Sequence, residues 1–402
     1  SFNFSIGNSS QITDGLTVGG QGAFLYGSDF DTTEKQAKTL SLGSGGMLSP
    51  DAERTVKESS REIRTGLTGD AGVSLKTVAG EQKISSTVML LRNTEDQVKT
   101  ATELNANGSY RSTGIEWVER QLWVRQLRGE HEIAMSDLFM GLENRVRWRL
   151  SRADAARVAP DVRDHRYILE NGQYLLSTRA DGNQRSYSQL NDQTSEVGGD
   201  WRVGRSISEI GRVDFNIGFA STDRERSSGM RRFHFRDMRP ASSNLDLSQS
   251  AEEIFVSDNI GSEGFQILET TRETDTYRAA QSLVAMSYTV DWKPQDRLRF
   301  SAGWRDERSR QDVLTYNLYD PDNMPIRAGL ETVDRLPMWA AAWEFRPTHQ
   351  LRATYSETVS RPDFKELSVA PYTDEETGQE VVGNNRLKSA VIKNIDFRYE
   401  FY

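Results

Sequence analysis

Four histidines, His131, His165, His234 and His349, are the first candidates for chemistry in this chain, and none falls in an HExxH or HxxxH pair. His165 and His234 could share a metal ion only if the fold brought them together; as solvated loop side chains they need no partner. The carboxylate pairs Glu252-Glu253 and Glu375-Glu376 could serve acid and base roles. They read as solvated loop charge. Gly19-Gly20-Gln21-Gly22 has the glycines of a phosphate loop but lacks the Lys-Ser/Thr and the helix that follow one. The chain has no cysteine, which excludes CxxC redox chemistry and thiolate-held zinc or iron–sulfur sites. No catalytic constellation emerges, and the reading is not an enzyme, with no metal site and no cofactor.

The 402 residues carry a net charge of −9, with 36% hydrophobic and 27% charged residues. An acidic balance with Arg and Lys interleaved among Asp and Glu does not make the basic face that phosphate backbones require, so nucleic acid is not an expected partner. Nowhere do 18 apolar residues run together, as a spanning helix needs; the densest stretch, Met338 to Trp343, is broken at Glu344.

The positioning elements are strands. In Val213-Asp214-Phe215-Asn216-Ile217-Gly218-Phe219 the apolar residues fall on one side and the polar ones on the other, with the period of two that a strand imposes. Leu298 to Trp304 and Ile395 to Phe401 repeat the pattern, whereas Ile115 to Leu127 alternates poorly. The periodicity predicts thirteen strands, at about 1–10, 16–28, 60–78, 82–99, 112–128, 141–152, 186–205, 211–236, 276–292, 297–317, 335–346, 350–360 and 390–402. Short turns lie at Thr13 to Gly15, Ala79 to Glu81, Ser206 to Gly211, Lys293 to Asp296 and Arg346 to His349. They take turns with long connections at 28–54, 100–112, 153–185, 237–275, 318–334 and 361–389. Short turns at one end and long loops at the other are the habit of a transmembrane barrel.

Ten residues at about 3.3 Å each, tilted by about 45°, rise roughly 25 Å, the height of such a barrel's apolar band. The apolar sides mix Leu, Val and Ile with aromatics toward the ends, as an interfacial girdle does, while Arg145, Arg147 and Arg149 share one side that must face water. Arginine outnumbers lysine by about four to one, which suits bidentate cross-strand pairing in a lumen. The expected fold class is therefore all-β, an antiparallel transmembrane β-barrel wall. A solvated two-sheet protein or a β-solenoid is the alternative on periodicity alone. Because bacterial single-chain barrels have even strand numbers and an open edge in lipid leaves amides unpaired, thirteen strands suggest part of a longer chain. The initial Ser1, with no leader before it, suggests the same.

The segment Tyr355-Ser356-Glu357-Thr358-Val359-Ser360-Arg361-Pro362-Asp363-Phe364-Lys365-Glu366-Leu367 resembles the Y-S-x-T-(V/L)-x-R-P-x-F-x-E-L stretch of TonB-dependent receptors. Gly383-Asn384-Asn385-Arg386-Leu387-Lys388 is similar to that family's G-N-P-x-L-K phrase, with Asn385 in place of its proline and Ser389-Ala390 in place of the Pro-Glu that follows. The resemblance covers nearly the whole chain and is strongest from about 258 to 402. It implies a 22-stranded barrel with an N-terminal plug, here represented by residues 1–402 as part of the barrel domain, without plug or last strands. It implies location in a Gram-negative outer membrane and import of a scarce solute of the siderophore, cobalamin or oligosaccharide type. The partners it implies are outer-membrane lipid, that small-molecule or oligosaccharide ligand, and TonB through the missing plug segment. The rival readings are a structural or adhesive outer-membrane barrel without active transport, and a soluble β-rich binding or hydrolase domain.

On this topology His131 and His349 fall at periplasmic turns, and His165 and His234 lie near the extracellular side. Ligand contacts are expected from Arg163, Arg166 and Tyr167 in the 153–185 loop, His234 and Phe235 at a strand top, and Tyr372 in the 361–389 loop. Arg361, Pro362, Asp363, Phe364, Glu366, Leu367, Gly383, Asn384, Leu387 and Lys388 are read as structural. Pro362 ends the strand ladder, and the two charges flanking it are expected to pair locally.

Overall fold

A computed structural model describes residues 1–42, 47–105, 108–133, 142–179, 182–272, 274–316, 324–373 and 380–402. Its strands are β1 (Phe2–Gln11), β2 (Leu16–Leu42), β3 (Leu48–Thr77), β4 (Gly80–Asn105), β5 (Gly108–Ile133), β6 (Glu143–Glu170), β7 (Gln173–Leu176), β8 (Asn183–Ile207) and β9 (Gly211–Asp237). They continue as β10 (Phe265–Glu269), β11 (Thr276–Gln295), β12 (Leu298–Tyr316), β13 (Ile326–Arg346), β14 (His349–Ser360), β15 (Tyr372–Thr373), β16 (Glu380–Val381) and β17 (Ala390–Phe401). Two one-turn helices, α1 (Ala251–Ile254) and α2 (Phe364–Leu367), complete the inventory of the described residues apart from a short 3-10 turn at 257–259.

Thirteen strands form one antiparallel path, β1-β2-β3-β4-β5-β6-β8-β9-β11-β12-β13-β14-β17, with β7 attached to β6 and β10 to β9. These are the thirteen strands that periodicity predicts, and all five predicted short turns separate them. The sheet is not closed, since β1 pairs with β2 alone and β17 with β14 alone among the described residues.

The structure corrects the expected loops. Most of 28–54, 100–112, 153–185 and 318–334 is strand, because β2 to β6 run 26 to 30 residues and β13 begins at Ile326. At about 3.3 Å per residue such strands are far longer than an apolar band requires. In the upper parts of β2 and β3 the residues on both faces are mostly polar, so the backbone ladder persists where the hydrophobic alternation stops. Two connections, 238–275 and 361–389, remain loops with little strand, and each packs on the wall.

The two faces of the sheet differ in kind. One exposes a belt that includes Leu67, Leu127, Leu150, Val197, Phe215, Ile217, Phe219, Met286, Trp304, Trp339 and Trp343. The other carries charge. Directly opposed residues share a face, so the register places Glu130, Arg147, Asp200, Gly218, Ser287 and Arg305 in one row on that face. Arg147 donates to Asp200 at 2.9 Å and Arg145 to Glu132 at 2.6 Å. Ion pairs across strands hold the polar side, while the belt residues stay exposed apart from contacts among neighbouring aromatics such as Trp304 with Tyr288 and Trp339 with Tyr355.

A bulge between Ala159 and Val162 puts one extra residue in β6. Up to Ala159 the odd residues of β6 face the charged side; beyond Val162 the even ones do. Ile115 to Leu127 alternates poorly for a related reason. Leu122 and Val124 sit on the charged side of β5, while Glu119 and Arg125 sit on the belt side above Leu127.

Candidate functional site

Ser360 ends β14, and Pro362, which has no N–H, cannot extend the ladder. Asp363 then caps α2, accepting from the Lys365 N–H at 3.0 Å, while Glu366 accepts from the Asp363 N–H at 2.9 Å. This reciprocal capping box starts a helix of a single turn. α2 buries Phe364 and Leu367 with Tyr277, Ala279, Val313 and Ala328, all on the charged face of β11, β12 and β13.

The charges flanking Pro362 do not pair with each other, contrary to the local pairing expected. Arg361 reaches into the wall, donating from Nη1 to Glu307 at 2.8 Å and from Nη2 to Asp334 at 2.6 Å, and all three groups are nearly buried. Asp363 accepts from Arg226 on β9 at 2.9 Å. Arg226 and Arg224 also converge on Asp192 of β8 and lie over the Phe364 ring, at 5.4 and 5.1 Å. Burial tends to raise the Asp192 carboxyl, but hydrogen bonds from the two guanidiniums outweigh it and hold Asp192 below the usual carboxylate range. Charge orientation thus fixes this loop on the wall from both ends of the Arg-Pro-Asp triplet.

The second phrase of the sequence motif closes on the first. The Asn384 N–H donates to the Glu366 carbonyl at 2.7 Å, satisfying a carbonyl of the short helix. A Cβ at Gly383 would stand 2.2 Å from the Ser368 carbonyl and 2.6 Å from those of Glu366 and Lys365, so only glycine fits there. Leu387 and Lys388 are exposed beyond this contact. The partners of Arg361 and Asp363, namely Arg224, Arg226, Asp192, Glu307 and Asp334, escape sequence reasoning because they are distant in the chain. The available signal was the polar continuation of β9 past Thr222.

The residues expected to meet ligand divide between the two faces. Tyr167 and Phe235 are buried with Leu176, Ala251, Ile254 and Phe265, where the 238–264 segment packs on the belt side of β6 and β9, well above the belt. Phe255 stacks on Phe235 at 3.9 Å between ring centroids, and Arg163 donates to Glu252 of α1 at 3.1 Å. Arg166 and His234 lie on the charged face, with the Arg166 guanidinium 4.1 Å from the Tyr110 ring centroid. The backbone of Tyr372 pairs with Val381 in a two-stranded sheet; its side chain lies outside the described residues, as does the Glu375-Glu376 pair.

His165 faces Asn183 across the ladder, whereas His234 faces Gln184. Neighbouring residues of a strand point to opposite faces, so the two histidines cannot share an ion, and no group of three potential ligands occurs among the described residues. Burial lowers the proton affinity of His165, which sits against Phe255. His131 and His349 stand beside short turns, where His131 accepts from Trp148 at 2.9 Å and His349 bonds the Tyr399 hydroxyl at 2.6 Å. The Gly19 to Gly22 run lies inside β2, paired on both sides, and builds no loop.

What this arrangement offers is a polar wall with one loop fixed against it. No curated protein matches the chain. Among solved structures, it is similar to the siderophore receptor PiuA from Acinetobacter baumannii, with a TM-score of 0.50 at 7% identity over 99% of this chain and 54% of that one. It also aligns with the ferric-catecholate import receptor Fiu from E. coli K12 in its open form, with a TM-score of 0.22 at 9% identity over 88% of this chain and 69% of that one. The chain thus spans about half the length of PiuA, and that likeness concerns the fold. The family model for the β-barrel of TonB-dependent receptor-like proteins matches residues 80–402. That match runs from the first residue of β4 through the anchored loop to β17, and the chain belongs to the TonB-dependent receptor family as part of its β-barrel.

Proposed function

We propose that this barrel belongs to an outer-membrane transporter that takes up a scarce small solute, of the siderophore type, with energy delivered through TonB. The observation that carries the reading is the division of the sheet into an apolar belt face and a charged face, with the 361–389 loop anchored by ions on the charged side. On this reading hydrocarbon covers the belt and water fills the side of the ion pairs. Trp304, Trp339 and Tyr288 mark an interface, and Trp304 lies 5.3 Å from Tyr288 between ring centroids. The solute would meet the extracellular end of the charged face, near half-buried Arg166 and buried His234 and where the 361–389 loop brings the backbone of Tyr372. Tyr167, Phe235 and Arg163 would support the binding surface from behind by packing the 238–264 segment.

The test is uptake of iron-55 presented on a panel of siderophores, by cells that lack their own receptors and express the full-length protein. TonB-dependent uptake of one chelate, weakened by Arg166→Ala, is the expected result. Correct insertion in the outer membrane with no uptake of any chelate, cobalamin or oligosaccharide would favour a structural or adhesive barrel. Recovery of the protein in the soluble fraction would remove the membrane reading altogether.

A further inference from the structure

The belt face changes character with height. Leu150 opposite Val197 belongs to the belt, and the next row up holds Arg152, Ser195, Asp223 and Ser282 side by side. Above it the rows bring in neutral amides, hydroxyls and small side chains. Gln193 stands between Asp154 and Glu225, then Asn191 between Ala156 and Ser227, then Gln189 between Val158 and Gly229. At about 3.3 Å per residue, Gln193 is about 13 Å and Gln189 about 26 Å along β8 from Val197.

Gln121, Gln189, Asn191, Gln193 and Ser227 make no side-chain hydrogen bond among the described residues, and all but Gln193 are exposed. The charges of this face behave otherwise. Asp154 holds Arg125 at 2.5 Å, Asp312 holds Arg310 at 2.8 Å and Glu269 holds Arg231 at 2.9 Å. Where Ala156, Ala280 and Gly229 replace longer side chains the surface sinks, leaving depressions of about 640 and 410 Å³ that share Asn191, Ser227 and Arg278. Together they form one trough across β8, β9 and β11. Its upper end has aromatic walls: Tyr187, 39% exposed, stands edge-on to Phe233 at 5.8 Å between ring centroids, and Tyr316 of β12 bounds the other side.

We propose that this trough binds a neutral oligosaccharide chain outside the barrel. Each side-chain amide offers donors and an acceptor, and Ser227 offers both from one oxygen, which matches sugar hydroxyls that also do both. The tyrosine rings supply an apolar face for the C–H side of a pyranose and a polar edge beside it. Charge selects against ionic ligands, because Arg278 and Glu225 carry opposite signs on neighbouring strands and the carboxylates of the lower edge already hold arginines. From Gln193 to Tyr187 the trough runs about 20 Å along β8, room for a chain rather than a single sugar. The site rests on the belt face being the outer one. It lies on the opposite side of the wall from the proposed solute path.

The experiment uses the full-length protein in phospholipid nanodiscs. The probes are a panel of neutral hexose, deoxyhexose and N-acetylhexosamine oligosaccharides and a matched panel bearing uronic acids. The parent should bind members of the neutral panel and none of the acidic one. Asn191→Ala with Gln193→Ala should lower the affinity about tenfold. Tyr187→Ala should weaken binding as well, whereas Tyr187→Phe, which keeps the ring, should retain it. Ser195→Ala with Ser282→Ala, one row lower on the same face, should bind like the parent. No binding of the neutral panel by the parent, equal binding of the acidic panel, or undiminished binding by the Asn191/Gln193 variant would overturn the proposal. If that variant lacks the heat-modifiable gel mobility of a folded barrel, Tyr187→Ala against Tyr187→Phe carries the test, and equal binding by the two overturns it. The tightest oligosaccharide is then offered free in solution and conjugated to a nanodisc lipid: equal occupancy assigns a free surface glycan, and preference for the conjugate assigns a glycolipid. Flotation of the parent with membranes is scored separately: its failure would remove the lipid-facing belt, whereas flotation without binding of neutral glycans would remove only this trough.

Discussion

The two long loops of this wall are fixed on opposite faces by opposite means. The 238–264 segment lies on the belt side and is held mainly by an apolar cluster in which Ile254 is fully buried and Phe255 stacks on Phe235. The 361–371 segment lies on the charged side and adds to its own apolar contacts two ion networks, a nearly buried one of Arg361 with Glu307 and Asp334, and a more exposed one of Asp363 with Arg226, Arg224 and Asp192. A face already carrying charged rows can hold a loop by pairing with them, at the cost of desolvating every partner. A face with aromatics at its upper end holds a loop by hydrophobic burial alone, with little demand on geometry.

The contrast breaks hardest at Arg361. Arg361→Ala removes the cation from Asp334 and leaves Glu307 with Arg305 alone, and it should cost about 3–5 kcal/mol, read as a lower urea midpoint of the barrel. Loss of hydrogen-exchange protection around 361–371 with 245–260 unaffected would show that the loops are independent. On the other face, Ile254→Ala removes a fully buried side chain and should cost about 2–4 kcal/mol, with the protection loss confined to 245–260. Gly383→Ala forces a methyl against three carbonyls and should cost about 1–3 kcal/mol, loosening 365–368 first.

Acid should separate the loops with a smaller effect. Folding lowers the His165 pKa, so its neutral form is favoured in the native state and its contribution is lost as pH falls below the ordinary imidazole value of about 6.5. Asp192 is held low, so its ion pairs persist until pH drops below about 4. Between pH 7 and 5.5, protection at 245–260 should weaken and that at 361–371 should hold. His165→Asn should flatten the first response, and an unchanged response in that variant would reassign it to another group.

The wall itself was legible because each strand that crosses the belt must place apolar side chains on every second position, and that signal survives in the sequence from Phe2 to Phe401. The upper extensions of β2 to β6 were not. In β2 and β3 both faces there are mostly polar, so pairs such as Lys38 with Glu53 hold an extended hairpin that carries no hydrophobic period. The Arg361 motif was visible as a phrase, whereas its ion partners lie 27 to 137 residues away and have no local mark. Tyr167 and Phe235 looked like exposed contact aromatics because their apolar partners come from a segment dominated by Ser, Asp and Glu.

One residue of excess in β6 governs what its last turn of the wall can touch. Were Pro160 or Asp161 deleted so that the ladder ran on without interruption, every side chain from Val162 upward would exchange sides, turning Tyr167 toward the charged side and Arg166 toward the apolar cover. The insertion therefore acts as a polarity inverter: it lets a single continuous strand obey one pattern near the belt and its mirror near the rim.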